Sequence, residues 1–465
     1  MERKLSDRQP RLSGRQVLVV GLGRSGLAAT RLLLGEGALV TVTDQKNAET
    51  LQENMSALSG LPIRFELGRY ESGSFLSADL IVISPGVPIH LPLIQAAEAQ
   101  GIPVIGEIEL AAGFISAPIL AITGTNGKST TSMLIGEILK RAGKKVFVGG
   151  NLGRPLSDAA ESRWPGREDH PAEPWDFVVA EVSSFQLERV KTFHPRIGAY
   201  LNLTPDHLDR HEDLSTYAML KARLFENQGP EDFAVLNADD PEVSKVSRSL
   251  RSGVVWFSRR RPVASGVYRD GQELISTIGM KRSVIQEGDL RLKGVHNLEN
   301  VLAAIAVTQL AGCDDDVIAE TVREFSGLEH RLEWVREKAG VVYINDSKGT
   351  NVGAAIRSLE SFSQPIIWLA GGREKGTDFS VLHGVVQSHV KQAILFGEAC
   401  DKMRKALNGA TRINETATLS EAVTLAAAIA VPGDVVLLSP ACASFDQFRN
   451  FEERGKAFKD AVRRL

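Results

Sequence analysis

The stretch Gly124-Thr125-Asn126-Gly127-Lys128-Ser129-Thr130-Thr131 follows the apolar run 118–122 (PILAI) and precedes the helix-patterned run 133–140 (MLIGEILK). A strand, a glycine turn carrying Lys-Ser, and a helix together aim backbone N–H groups and the positive end of a helix dipole at one point, an arrangement that holds phosphate. We read it as an ATP site, with Lys128 reaching the terminal phosphates and Ser129 or Thr130 offering a hydroxyl to Mg²⁺. The spacing departs from the common phosphate loop, whose first glycine would fall at the position held here by Ile122, so the loop is a shortened variant. The plainer alternative, a glycine-rich turn with a surface lysine, explains neither the run of hydroxyls nor its place at a helix start.

Working outward, a second glycine turn lies upstream. The run 17–20 (VLVV) leads into Gly21-Leu22-Gly23-Arg24-Ser25-Gly26, a Leu/Ala-rich helix follows, and the next strand, 39–43, ends at Asp44. An acid so placed is where a ribose-binding carboxylate sits in a Rossmann unit, so the motif alone reads as a dinucleotide site. A further strand, 80–83 (LIVI), runs into Ser84-Pro85-Gly86-Val87, either a ligand contact or only a tight turn. Downstream, 177–180 (FVVA) ends in Glu181, a carboxylate delivered to a sheet's C-terminal edge. The Pro- and charge-rich stretch 157–176 reads as a surface loop, 199–203 as a strand, and 253–292 as a small antiparallel excursion. The last third carries strand runs at 341–344, 365–370, 393–396 and 435–438.

A chain of 465 residues exceeds what one core organises and suggests about three domains of ~150 residues. All look α/β. With 54 basic and 57 acidic residues the net charge is −3, which supplies no global field for nucleic acid or anionic membranes. The three cysteines are far apart and lack metal-ligand spacing, so neither a disulfide framework nor a zinc site is expected. Residues 1–16 lack the apolar core of a signal peptide and no apolar run is long enough to span a bilayer, so we expect a cytoplasmic protein without membrane insertion.

The segments GTNGKST (124–130), GGNLG (149–153), EVSSFQLE (181–188), TPDHLDRH (204–211), KARLFEN (221–227), HNLEN (296–300), EHRLE (329–333), NDSKGTN (345–351), GGREKGTDF (371–379) and SPACASFDQFRNFEERG (439–455) are collinear with, and resemble, the Mur ligases. The resemblance runs from about residue 15 to the C-terminus. It implies three domains: a Rossmann-like one over 1–107 for a uridine nucleotide, a central P-loop ATPase-like one over 108–328, and a Rossmann-like C-terminal one over 329–465 for an amino acid. It implies an ATP-dependent amide ligase of peptidoglycan synthesis, acting as a monomer on UDP-N-acetylmuramoyl-L-alanine and D-glutamate. The turn at 21–26 would then cradle uridine diphosphate instead of a nicotinamide cofactor.

The same resemblance assigns residues. ATP would be held by Gly124, Thr125, Asn126, Gly127, Lys128, Ser129 and Thr130, with Asn297, Asn300, Arg331, Asp346 and Lys348. Two Mg²⁺ ions would be held by Ser129, Glu181, His207 and Lys221, the lysine as a carbamate, and Lys128, Glu181, His207 and Lys221 would form the catalytic set. On its own pattern Lys221 reads as a solvated charge on an amphipathic helix. The uridine substrate would meet Gly23, Arg24, Ser25, Gln45, Lys46, Ser84, Pro85, Gly86, Asn151 and His207. D-Glutamate would meet Thr350, Lys375, Ser444, Phe445 and Phe451, where Phe445 replaces a leucine of some relatives. A boundary near 328 implies domain closure. Competing classes are a nicotinamide-dependent oxidoreductase, which leaves Lys128 and Glu181 without work, a non-enzymatic nucleotide-binding regulator, and a sister ligase for another amine.

Overall fold

The computed structural model describes residues 12–88, 90–151, 153–160, 174–204, 213–292, 295–362, 364–374 and 377–465. They divide into two compact units, one of residues 1–290 and 299–323, the other of 291–298 and 324–465.

Two sheets build the first unit. In the N-terminal sheet the apolar run expected at 17–20 forms the central strand Gln16–Val20. It pairs in parallel with Leu39–Asp44 on one side and Leu80–Ile83 on the other, and Ile63–Leu67 and Val104–Gly106 complete the edges. Moving out from the central strand, chain order runs one way on one side and the other way on the other. This reversal opens a crevice beyond the carboxyl ends of Gln16–Val20 and Leu80–Ile83, where ligands of such sheets bind. Helix Arg24–Gly35 covers one face, burying Ala29, Leu32 and Leu33 against Val17, Val19 and Val42.

In the nine-stranded second sheet Ile119–Thr123 is an interior strand, buried along its whole length as a parallel strand covered on both faces must be. Phe177–Glu181 and then the edge strand Val146–Gly150 lie to one side; Ile197–Tyr200, Phe233–Asn237 and Gly253–Ser258 lie to the other. Three sequence expectations are corrected here. The segment 253–292 is not a separate antiparallel excursion: Gly253–Ser258 and Gly266–Asp270 extend the sheet in parallel, and only Glu273–Ser276 and Arg282–Gln286 turn antiparallel at its edge. The expected surface loop begins with a short 3₁₀ turn, Leu156–Ala159, whose Leu156, Ser157 and Ala159 are buried. The strand expected at 199–203 runs over Ile197–Tyr200 instead, because beyond Tyr200 the backbone leaves the ladder to buttress the phosphate loop.

In the second unit Val341–Asn345, Val435–Leu438, Ile366–Gly371, Val390–Phe396 and Arg412–Thr416 lie parallel in that order, with Glu333–Lys338 antiparallel at one edge. Apolar clusters fill both faces, one around Trp368 and Met403, the other around Phe396, Val423 and Phe458. The fold class is therefore α/β in all three sheets, as read from the sequence. Among the described residues no helix is long and apolar enough to cross a membrane.

Candidate active site

Helix Lys128–Arg141 starts at Gly127, which is left-handed at φ 81°. A side chain there would be strained, and its Cβ would fall 2.0 Å from Asn300 Oδ1. Asn300 is buried and accepts from Thr131 Oγ1 at 3.3 Å, so it fixes the helix start from below. The neighbouring segment past Ile197–Tyr200 supports the turn: Thr125 N donates to Asn202 O, Asn126 N to Asn202 Oδ1 and Thr204 N to Thr125 Oγ1, at 3.0, 2.8 and 3.1 Å. Asn202 was not singled out from the sequence, because an asparagine after a strand carries no motif.

Lys128 Nζ donates to the carbonyls of Gly124 and Thr125, each at 2.9 Å. Lys221 Nζ donates to the same Gly124 oxygen at 2.9 Å and lies 4.4 Å from the centre of the Tyr217 ring. Only 1 % of Lys221 is exposed, which overturns its reading as a solvated charge. Ser129 Oγ donates to Glu181 Oε2 at 2.6 Å, and Asn151 Nδ2 donates to Glu181 Oε1 at 2.7 Å. Glu181 is 2 % exposed, which excludes a surface acid at a strand end. A hydroxyl and a carboxylate, both hard oxygen donors, beside a phosphate-type turn match the donor chemistry of Mg²⁺. His207 lies outside the described residues.

The crevice of the N-terminal sheet is a cavity of about 490 Å³. Gly23, Arg24, Ser25, Gln45, Lys46, Ser84, Pro85, Gly86 and Asn151, all expected at the uridine substrate, line it together with Tyr70, Gly153, Pro155 and Gln186. Its glycine turn closes tightly: a Cβ on Gly26 would lie 1.8 Å from Gly21 O, and Ser84 Oγ donates to that oxygen at 2.9 Å. Asp44, placed by motif as a ribose acid, also lines the cavity and accepts Leu22 N–H at 2.8 Å and Lys46 N–H at 2.9 Å, using a carboxylate oxygen for each. It shapes the two turns that floor the cavity. Gly150, at the end of the edge strand of the second sheet, and Asn151, Gly153 and Pro155 after it supply the far wall, where Arg24 Nη1 reaches Gly153 O at 3.3 Å. Asn151 thus belongs to the cavity and, through Glu181, to the phosphate turn.

In the second unit Arg331 stands between two left-handed non-glycine residues, His330 at φ 64° and Leu332 at φ 44°. Asp346 holds this turn, accepting Leu332 N–H at 3.3 Å while Ser358 and Ser439 hydroxyls donate to its other oxygen at 2.6 and 2.8 Å. Burial pushes its carboxyl up to about 6 against those hydrogen bonds. Lys348 N donates to His330 O at 3.0 Å, Thr350 N to Lys348 O at 2.8 Å, and the Lys348 ammonium lies 5.2 Å from the centre of the Phe451 ring. The Phe451 ring also meets His330 edge-on. Ser444 is buried and Phe445 exposed. Arg454, unassigned in the sequence reading, is buried and donates to Ser347 Oγ, Ser347 O and Cys442 O at 3.0, 2.8 and 3.1 Å, which ties the 345–351 segment to the 439–444 segment. Asn297 belongs to this unit and is half-buried. Lys375 lies outside the described residues.

Fold and site define a three-sheet α/β protein of the class that binds phosphate at a strand–turn–helix and a second ligand at a doubly wound crevice. Matches to known proteins refine this. Residues 15–106 match the Mur ligase MurD-like N-terminal domain, 122–308 the Mur ligase middle domain and 330–442 the Mur ligase glutamate ligase domain. The chain belongs to the Mur ligase family. Among curated relatives, the UDP-N-acetylmuramoylalanine--D-glutamate ligase of Geobacter sp. (strain M21) is 48% identical over 455 residues, covering 97% of this chain and 98% of the relative. The protein of the same name from Pelotomaculum thermopropionicum is 47% identical over 451 residues, covering 96% and 97%. The solved MurF ligase of Thermotoga maritima in complex with ADP shares the fold at a TM-score of 0.57 and 15% identity, covering 100% of each chain. The UDP-N-acetylmuramate-alanine ligase of the same organism does so at 0.57 and 18%, covering 97% of this chain and 99% of its own.

Proposed function

We propose that this chain is an ATP-dependent ligase that joins D-glutamate to UDP-N-acetylmuramoyl-L-alanine, giving ADP and phosphate, in peptidoglycan precursor synthesis. Near-full-length similarity to relatives of that name supports the substrate pair. The observation that carries the reaction is the hydrogen-bonded run Ser129–Glu181–Asn151, which links the phosphate turn to the wall of the N-terminal cavity inside one unit.

A carboxylate acylates poorly because oxide would have to leave. In the proposed first step the substrate carboxylate oxygen attacks the γ-phosphorus of ATP, the bond to the bridging oxygen breaks, and ADP departs. The amine of D-glutamate then attacks the acyl phosphate; an amide forms, phosphate leaves, and the ammonium proton passes to solvent or base. Both steps crowd anions, so fixed cations and donors lower the barrier. Lys128 serves the β/γ-phosphates with the backbone N–H groups of 127–130, and Asn300 keeps the turn in shape. Ser129 and Glu181, with His207 and a carbamate on Lys221, would hold two Mg²⁺ ions, which neutralise phosphate oxygens when bound. Asn151 and the 21–25 and 84–86 turns hold the uridine nucleotide. By the same resemblance Asn297, Arg331, Asp346 and Lys348 would also serve ATP, and Thr350, Lys375, Ser444, Phe445 and Phe451 would take D-glutamate. The proposed domains are 1–107, 108–328 and 329–465.

Phosphate release from ATP with UDP-N-acetylmuramoyl-L-alanine, compared across D-glutamate, L-glutamate, L-alanine, L-lysine and meso-diaminopimelate, tests the proposal. Release that requires D-glutamate supports it; release with another amine moves the chain to a sister activity; none with any amine defeats it.

A further inference from the structure

Helix Glu107–Ala112 follows the last strand of the N-terminal sheet, and both of its glutamates turn inward. Glu109 is fully satisfied: its two oxygens accept the N–H groups of Lys191, Thr192 and Phe193 and the Thr192 hydroxyl, at 2.6 to 3.0 Å. Glu107 is different. It is 2 % exposed, Oε1 accepts Ser157 N–H at 2.6 Å, and among the described residues Oε2 is buried without a hydrogen bond.

The Ser157 side chain and the Leu156 N–H also favour the carboxylate, yet burying it with one oxygen left without a hydrogen bond is expensive. A group kept under those terms calls for an explanation beyond packing. The partner supplies it. Ser157 sits in the short turn that directly follows Pro155, a residue of the cavity's far wall with Gly150, Asn151 and Gly153. The front of that wall is already fixed by Gly150 N to Arg154 O at 2.7 Å and Asn151 N to Glu181 O at 2.8 Å. The back is anchored at Ser157 by Glu107.

We propose that Glu107 is a positioning residue: by holding Ser157 N–H it sets Pro155 and Gly153, and with them Asn151, at the distance from the 21–25 turn that a uridine nucleotide requires. The inference rests on the reading of this cavity as the uridine site. Burial pushes the Glu107 carboxyl up to about 7, consistent with an acceptor held in place against its own solvation.

The test uses the full chain. Glu107→Met removes the acceptor at nearly constant volume, and Glu107→Gln keeps an oxygen for Ser157 N–H. Glu109→Gln perturbs the other glutamate of the same helix, away from the cavity. Binding of UDP-N-acetylmuramoyl-L-alanine is measured calorimetrically without ATP or Mg²⁺, beside KM for ATP and Tm. We expect Glu107→Met to weaken uridine-substrate binding about ten-fold or more, the scale of one buried hydrogen bond to a charged group, with KM for ATP within about two-fold. Glu107→Gln regains most of that loss, and Glu109→Gln lowers Tm without moving the uridine Kd. Unchanged uridine binding in Glu107→Met, or equal losses for uridine substrate and ATP, overturns the inference alone. Wild-type protein that binds no uridine nucleotide overturns the cavity reading and this inference with it.

Discussion

Lys128 and Lys221 both donate to the carbonyl oxygen of Gly124, each at 2.9 Å. Two such bonds keep the ammonium nitrogens within twice that distance of each other. Two cations that close, at an effective dielectric of about 20, repel by roughly 3 kcal/mol. Anionic phosphate relieves this, and so does conversion of one lysine to an anion. Lys221, 1 % exposed, has little water to screen that repulsion.

Lys221→Ala is accordingly expected to lose phosphate release by about 10²-fold or more, the scale of removing one charge-stabilising group. Short carboxylic acids added to the assay should restore part of it by supplying the missing anion. Near wild-type turnover in Lys221→Ala would sink the carbamate.

Glu181 uses one oxygen on Ser129 and the other on Asn151. Glu181→Gln presents one acceptor where two are needed and removes the anion, so turnover should fall by about 10²- to 10³-fold. Asn151→Ala leaves the carboxylate in place and should act chiefly through KM for the uridine substrate. Steady-state kinetics of the two variants separates these roles; matching kcat losses with unchanged KM would show that Asn151 serves the phosphate turn alone.

Asp346 gives the second unit a pH signature. Its carboxyl is raised from 3.8 to about 6 in the folded chain, so between those values the native state holds a proton that the unfolded chain has released. Stability contributed by this group is therefore full below about pH 4 and declines as pH rises through about 6, by roughly 3 kcal/mol in total. Arg331 opposes the shift by favouring the carboxylate. Hydrogen exchange of the amides in Ile366–Gly371, compared between wild type and Asp346→Asn, reads it. The wild-type advantage should shrink from pH 4 to pH 7, and a constant difference would refute the assignment.

The strands that carry the ligand turns were legible because buried parallel strands are unbroken apolar runs, and each turn announced itself by glycine after such a run. Glu181 was legible for the same reason. Ser157 was not: the Pro- and charge-rich residues beyond it suggest a loop, and nothing local says that the chain first dips into the core under Glu107. Lys221 was misread by pattern because helix Leu214–Ala222 is only weakly amphipathic, and its burial comes from the phosphate turn nearly a hundred residues earlier. Asp44 matched a motif yet satisfies backbone N–H groups, a use that depends on where two turns meet in space.

The two glycines that flank helix Lys128–Arg141 offer a last, internally controlled prediction. Gly127 and Gly143 share nearly the same backbone, φ 81° and 77°, but an added Cβ meets Asn300 Oδ1 at 2.0 Å at the first and nothing within 4 Å at the second. Alanine at either costs about 1 kcal/mol or more of left-handed strain. Only Gly127→Ala must also displace Asn300, which loosens its hold on Thr131 and tilts the N–H groups that face phosphate. Gly143→Ala should therefore lower Tm with ATP kinetics intact, while Gly127→Ala lowers Tm further and raises KM for ATP about ten-fold or more. Adding Asn300→Ala to Gly127→Ala should recover part of the stability, because the clash is then gone, and a double-mutant cycle reads that coupling directly. Additive losses in the cycle would mean that Asn300 does not set the shape of the turn.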